Sequence, residues 1–299
     1  MRRAAVSRRV RRSERGYTGH MVASVPTITL NDGVRIPQFG FGVFQVKPGD
    51  ATVQAVAQAF EAGYRHIDTA QMYRNEEGVG RAIADSGLDR DEIFVTTKLN
   101  NDRHGRDEAQ KALDESLEKL GLDHVDLFLI HWPLPKRDDY VDTWRGLEAA
   151  KAAGKVRSIG VSNFAVAHLD RLAAETDTVP SVNQIELHPT FGQAELRQYH
   201  RDNAIATEAW SPIGQGGALL SDPAVTALAE KYDRSPAQVV LRWHVQLGNI
   251  VFPKSVQPAR IAENIAVFDF ALADDDVATL TGLDQGAKGR LGPDPAELD

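Results

Sequence analysis

Residues 93–130 read IFVTTKLNNDRHGRDEAQKALDESLEKLGLDHVDLFLI, and this stretch decides the architecture. It opens on the apolar, β-branched run Ile93–Thr97 and closes on a second, Val125–Ile130. Between them Ala109, Ala112, Leu113, Leu117 and Leu120 recur at helical spacing and share one face. Strand, amphipathic helix and strand together make a unit of roughly 30 residues, the size of a βαβ crossover. The same alternation runs outward in both directions. Further strands are predicted at Phe41–Val46, His66–Thr69, Ser158–Val161, Val182–Leu187, Ile205–Ala209 and Ile250–Phe252, eight in all. The polar residues that close successive strands are Asp68, Lys98, His131, Asn163, Gln184, Trp210 and Lys254, spaced by 30, 33, 32, 21, 26 and 44 positions. Eight such units fill the chain from about residue 40 and predict an α/β fold of the (β/α)8 TIM-barrel type, with room for an extra C-terminal helix. Thr27–Leu30 and Val34–Ile36, joined by Asn31-Asp-Gly33, read as a hairpin ahead of the barrel. No linker interrupts residues 21–299, so one domain is expected. A doubly wound sheet is the alternative.

The 299 residues include no cysteine and carry a net charge of −8. Disulfide frameworks, thiol nucleophiles, iron–sulfur clusters and cysteine-ligated zinc are therefore excluded. The acidity argues against a nucleic-acid binder held by phosphate contacts, and no apolar run approaches the ~18 residues of a membrane helix. The charge is uneven: residues 1–20 hold seven arginines against Glu14, a net of +6, which leaves −14 on the remainder. Without an apolar stretch this segment is no secretory signal, and it reads as a disordered extension, with Met21 as a natural start. A transit peptide or a basic interaction arm is the other reading. A cytoplasmic monomer acting on a small molecule is expected.

In a barrel the carboxyl ends of the strands converge on one face, where catalytic groups gather. Asp68, Lys98 and His131 occupy such ends, and Tyr73 lies just past the second strand. Singly, each has a structural explanation: a lysine paired with an aspartate, a satisfied core histidine, an aromatic at the rim. Together they make a mechanism. A phenol is a poor acid at neutral pH, but a neighbouring ammonium favours its ionised form. Lys98 supplies that charge, Asp68 holds Lys98 charged, and His131 adds a hydrogen bond to a substrate oxygen. This set protonates a carbonyl oxygen while an external species attacks the carbon, and a hydride from a nicotinamide is the natural candidate.

The runs Gly63-Tyr-Arg-His-Ile-Asp-Thr-Ala-Gln-Met-Tyr-Arg-Asn-Glu76, Thr97-Lys-Leu99, Leu129-Ile-His-Trp-Pro133, Gly160-Val-Ser-Asn-Phe164, Asn183-Gln-Ile-Glu-Leu-His-Pro189 and Pro253-Lys-Ser-Val256 resemble the aldo-keto reductase superfamily, in particular its bacterial 2,5-diketo-gluconate reductase-like branch. The resemblance spans about residues 26–290 in the family's order. It implies a barrel that reduces aldehydes and ketones, 2-ketoaldehydes and keto-sugars among them, with Asp68, Tyr73, Lys98 and His131 as the tetrad and Tyr73 as general acid. It further implies that Ser162, Asn163 and Gln184 bind the nicotinamide carboxamide, that Trp210 stacks on the ring, and that Ser211 and Val256 adjoin the cofactor. Glu263 and Asn264 match the family's adenine contacts.

Cofactor choice can be read from the residues as well. The one dinucleotide-like glycine pattern, Gly78-Val-Gly80-Arg-Ala-Ile83, lacks its third glycine and follows two glutamates, so it reads as helix surface rather than a Rossmann fingerprint. Lys254-Ser255 and Arg260 follow the eighth strand and open the next helix, where barrels bind phosphate. Two cations and a hydroxyl suit the 2′-phosphate of NADPH, whereas NAD more often meets an acidic residue at its ribose. Helix capping is the structural reading of Ser162 and Asn163 and does not exclude the cofactor role, while solvent-facing polarity on the helix would explain Glu263 and Asn264 equally well. Phe44 and Trp132 are expected to wall the substrate pocket, with Arg290–Pro295 as a covering loop. His188, Arg65 and His66 read as structural. Two other classes stay open: a metal-dependent barrel hydrolase using His66, Asp68, Lys98, His131 and His188, and a non-catalytic NADPH-binding relative.

Overall fold

A computed structural model describes residues 25–298, so the arginine-rich segment 1–20 and Met21 lie outside the described residues. The chain begins with strands β1 (Thr27–Thr29) and β2 (Arg35–Pro37), which pair antiparallel around Gly33, whose φ of 85° is the left-handed conformation the Asp-Gly turn requires. Eight parallel strands follow: β3 (Phe41–Gly42), β4 (His66–Asp68), β5 (Phe94–Leu99), β6 (Val125–Ile130), β7 (Val156–Ser162), β8 (Val182–Glu186), β9 (Ala206–Trp210) and β10 (Ile250–Val251). They hydrogen-bond in chain order from β3 to β10. A parallel bridge between Phe39 and Val251 then closes the sheet on itself, with Gly40 N–H donating to Val251 C=O at 2.9 Å. Closure decides for the barrel over the doubly wound sheet.

The connecting helices are α1 (Asp50–Glu61), α2 (Glu76–Asp85), α3 (Arg106–Leu120), α4 (Tyr140–Ala152), α5 (Val166–Glu175), α6 (Ala194–Asp202), α7 (Pro223–Tyr232), α8 (Pro236–Gln246), α9 (Pro258–Ile265) and α10 (Asp274–Thr281). The wide spacing before Lys254 holds both α7 and α8, and α10 is the extra C-terminal helix. Strand positions alternate between two buried environments, which is why they read as nearly continuous apolar runs. Ile67, Val95, Leu99, Phe128, Ile130, Ile159 and Val161 face the helices, and Phe94, Leu127, Leu129, Val182, Ile250 and Phe252 fill the barrel with Ile36 of the hairpin. Each fully buried aliphatic side chain contributes roughly 1.5–3 kcal/mol. The hairpin plugs the lower end, where Asp32 Oδ2 accepts from Ser158 Oγ at 2.8 Å and Lys151 Nζ at 2.6 Å.

Two expectations change here. The first strand ends at Gly42 rather than Val46, because Val46 N–H folds back to Val43 C=O at 3.0 Å in a turn and Gln45 takes a φ of 60°. Gly78 and Gly80 do lie in helix α2, but in its buried face rather than on the surface. A Cβ on Gly80 would stand 2.3 Å from the carbonyl oxygen of Leu120, so α2 crosses the end of α3 where no side chain fits.

Candidate functional site

Strands β4, β5, β7, β8 and β9 bury the polar side chains of Asp68, Lys98, Ser162, Gln184 and Glu208, although an apolar interior would be cheaper to bury. Lys98 on β5 is fully buried, and its ammonium donates to Asp68 Oδ1 on β4 at 2.7 Å and to Thr69 C=O at 3.0 Å. Its third neighbour is the Tyr73 hydroxyl at 3.5 Å. Tyr73 rides on the short 3₁₀ turn Gln71–Tyr73 just past β4, which Gln71 ties to the rest of the barrel through the Ala112 carbonyl at 2.7 Å and the Asn100 N–H at 2.9 Å. His131, one residue beyond β6, sets its ring edge-on to Tyr73 with centroids 5.8 Å apart. The structure thus brings together all four residues expected from strand-end spacing.

Their electrostatics are set by burial as much as by charge. Burial works against the Lys98 ammonium, but Asp68 and Tyr73 outweigh it and keep Lys98 above its ordinary range. Burial likewise pushes the Tyr73 phenol above its usual value, and Lys98 offsets only part of this because Asp68 opposes it. The net result is a phenol harder to ionise than a free one, so Lys98 limits the rise but does not produce the acidification expected from its charge alone. His131 is held well below its ordinary value by burial and by Lys98, so the imidazole is neutral. Its Nδ1 is buried without a hydrogen-bond partner.

The expected carboxamide contacts meet beside this set. Ser162 Oγ donates to the Gln184 carbonyl at 2.9 Å, and Asn163 Nδ2 donates to the His131 carbonyl at 3.0 Å. Capping does not explain either residue, since α5 begins at Val166 with Ala165 as its cap. Asn163 has a φ of 63°, and its Oδ1 accepts from Trp210 Nε1 at 2.8 Å, which fixes the indole plane. Ser211, next in the chain, also sits left-handed with a φ of 50°. Strain of this kind gathers where side chains must be aimed. Gln184 Nε2 donates both to Asp68 Oδ2 and to Glu208 Oε2, each at 2.9 Å.

Lys254, Val256 and Arg260 are exposed around the start of α9, while Ser255 is buried and its hydroxyl accepts from Gln257 N–H at 3.1 Å. Lys254 and Arg260 have no ion-pair or hydrogen-bond partner among the described residues, nor does the side chain of buried Asn264; Glu263 beside it is half-buried. Unpaired cations at a helix start, the unpaired side chain of buried Asn264 and the fixed Trp210 plane are donors and surfaces that fit a phosphate-bearing nicotinamide cofactor. Phe44 is 51% exposed and packs on Tyr73 with ring centroids 5.1 Å apart, while Trp132 is buried behind the rim.

Sequence reasoning missed two acids. Glu186 at the end of β8 accepts the N–H of Leu291 at 2.6 Å and of Gly292 at 2.8 Å, so it holds the C-terminal loop over the barrel mouth. Glu208 lies two residues before Trp210 on β9, and strand alternation could have placed it on the same inward face. His188 and His66 are structural, as expected: His188 Nε2 pairs with Glu186 at 3.0 Å, and His66 Nε2 with Thr96 Oγ1 at 2.9 Å lower in the barrel. Of the ligand set imagined for a metal hydrolase, His66 and His188 are thus engaged apart from Asp68, Lys98 and His131, and no group of three or more His, Asp or Glu among the described residues is placed to hold a metal.

Known proteins share this fold and sequence. The family model described as the aldo/keto reductase family matches residues 39–285. The chain belongs to the aldo/keto reductase family. An aldo-keto reductase of Mycolicibacterium smegmatis is 55% identical over 270 residues, covering 90% of this chain and 97% of the relative. Methylglyoxal reductase DkgA of Escherichia coli is 48% identical over 278 residues, 93% of this chain and 99% of the relative. Among solved structures, a Gox0644 variant in complex with NADPH superposes with a TM-score of 0.88 at 46% identity, over 93% of this chain and all of that one. An aldo/keto reductase from Brucella melitensis matches with a TM-score of 0.86 at 55% identity, covering 88% and 100%. Fold and family both stand as the motifs implied, and membership makes the chain an oxidoreductase of carbonyl groups.

Proposed function

We propose that this aldo/keto reductase reduces small aldehydes and ketones with NADPH, 2-ketoaldehydes such as methylglyoxal first among them and keto-sugars next, and that Asp68, Tyr73, Lys98 and His131 carry the proton chemistry. The observation that carries the reading is the Tyr73 hydroxyl poised 3.5 Å from a buried ammonium that is itself held by Asp68. When bound, the cofactor supplies a hydride to the carbonyl carbon. Tyr73 gives its proton to the carbonyl oxygen, and Lys98 stabilises the tyrosinate left behind until solvent restores the proton. Asp68 keeps Lys98 charged and in place. Neutral His131 offers a ring N–H to the same oxygen and so orients the substrate.

Ser162, Asn163 and Gln184 would hold the nicotinamide carboxamide, with Trp210 against the ring and Ser211 and Val256 alongside. Lys254, Ser255 and Arg260 would take the 2′-phosphate, and Glu263 and Asn264 the adenine. Phe44, Trp132 and the Arg290–Pro295 loop would enclose the substrate. Methylglyoxal enters because the DkgA relatives carry that activity in their names and align over nearly their whole length. The reading takes residues 21–299 as one domain working as a cytoplasmic monomer without nucleic acid; the acidic balance and the absence of a helix long and apolar enough to span a membrane among the described residues are compatible with it. NADPH absorbance followed with methylglyoxal, aromatic aldehydes, diketones and keto-sugars tests it. Oxidation with methylglyoxal is expected, and no oxidation with any of them contradicts the reading.

A further inference from the structure

Glu208 is a fully buried acid inside the barrel that the tetrad chemistry does not use. Its neighbours explain why it is unusual. On one side β9 pairs with β8, which sets Gln184 opposite Glu208, and on the other with β10, which offers only Ile250. The ionisable groups facing it are Asp68 of β4 and Lys98 of β5. Glu208 Oε2 and Asp68 Oδ2 accept hydrogen bonds from the same nitrogen, Gln184 Nε2, at 2.9 Å each. Glu208 Oε1 is buried with no partner at all.

Two acids leaning on one amide cannot both ionise cheaply, and only one of them has a counter-ion. Asp68 holds Lys98, so Asp68 keeps the charge. An anionic Glu208 would leave its buried Oε1 charged and without a partner, at a far higher cost than a neutral hydroxyl there.

We propose that Glu208 is a positioning residue of the reduction, one that keeps its proton while the enzyme works, leaves Asp68 as the sole negative charge behind Lys98, and pins the Gln184 amide. The inference rests on the proposed carbonyl reduction for its kinetic consequences, but its protonation stands on the barrel interior alone. Both Gln184 N–H groups are spent on the two acids, which leaves Gln184 Oε1 as the free acceptor turned to a carboxamide N–H. Burial and the nearby Asp68 push the Glu208 carboxyl up to about 8, so its proton is lost within the working range of alkaline assays. Once ionised, Glu208 places a second negative charge beside Asp68. That charge strengthens the hold on the Lys98 and Tyr73 protons, makes Tyr73 a weaker donor, and slows reduction as pH rises.

Infrared difference spectra of the cofactor-free protein, wild type against Glu208→Gln, test the protonation directly. The carbonyl stretch of a protonated carboxylic acid is expected in wild type at neutral pH, fading as pH rises through about 8, and missing from Glu208→Gln. Kinetically, Glu208→Gln moves the alkaline limb of kcat upward by about one pH unit. Glu208→Leu, which removes the acceptor for Gln184, raises KM for NADPH roughly tenfold, and Glu208→Gln recovers most of that loss. A wild-type spectrum without the band, or an alkaline limb that does not move in Glu208→Gln, overturns the assignment. No turnover by the wild type would instead defeat the carbonyl-reduction reading, and the infrared band still decides the state of Glu208.

Discussion

Lys98 Nζ and Asp68 Oδ1 stand 2.7 Å apart in an ion pair shut inside the barrel, with the lysine side chain wholly buried. A buried pair gives little net stability over an apolar pair of equal volume, but breaking it strands a charge. Lys98→Met therefore costs about 3–5 kcal/mol of unfolding free energy, read from the urea midpoint of the cofactor-free protein. A loss no larger than the ~1 kcal/mol of a surface pair contradicts the burial of Asp68 with Lys98 as its sole counter-ion.

The two unpaired cations at α9 give a cofactor prediction. Charged hydrogen bonds to phosphate are worth about 1.5–3 kcal/mol, so Lys254→Ala and Arg260→Ala each weaken NADPH by roughly ten- to a hundredfold. NADH, which lacks the 2′-phosphate, loses little. Titration of intrinsic tryptophan fluorescence with both cofactors measures this, and equal losses for the two refute the assignment.

Glu186 anchors the C-terminal loop. Burial alone would make its carboxyl harder to ionise, but His188 and the N–H groups of Gly292 and Leu291 reverse this, so the anchor stays charged. Beyond it, a Cβ on Gly292 would lie 2.5 Å from the Trp210 ring, so the loop rests against the indole. Glu186→Ala releases that loop. The expected outcome is faster tryptic cleavage after Arg290 and a several-fold higher KM for the carbonyl substrate, while an unchanged cleavage rate speaks against the anchor.

Acid stability should depend on histidines that have nothing to do with the reaction. His66, His200 and His244 are buried, and burial pulls each down to about 3 from an ordinary 6.5. A group depressed on folding contributes stability above its unfolded value and loses it as pH falls toward the folded one. Between pH 6 and 4 each takes up a proton on unfolding and adds about 1.4 kcal/mol per pH unit to the slope of stability. His244, whose Nε2 meets Pro212 C=O at 2.9 Å, is the cleanest to remove. His244→Gln flattens the slope by that one proton in urea titrations across this range, and an unaltered slope contradicts the neutral buried imidazole.

Much of the barrel was legible because its strands are buried on both faces and its helices on one, two patterns that differ in period. Val125–Ile130 came out to the residue for this reason. Phe41–Val46 did not, since Gln45 breaks the extended backbone and nothing in its side chain announces a positive φ. The meeting of Asp68, Lys98 and His131 beside Tyr73 was legible because each of the three stands at or beside a strand end, where the lumen begins. Glu208 was obscured by its place in a polar-looking Ala-Thr-Glu-Ala-Trp strand, where only the inward phase of Trp210 marks it as buried. The helix-surface reading of Gly78 and Gly80 failed because a glycine that admits a neighbouring backbone and one on a bare surface look alike in sequence.

The central claim is that Tyr73 delivers the proton, and replacing it by phenylalanine tests this with the smallest change in shape. Tyr73→Phe keeps the ring that packs against Phe44 and His131 while removing the hydroxyl beside Lys98. Single-turnover NADPH oxidation with methylglyoxal should then fall by about 10²–10⁴-fold, with NADPH affinity within a few-fold of wild type. A Tyr73→Phe enzyme that turns over as fast as wild type would contradict the account.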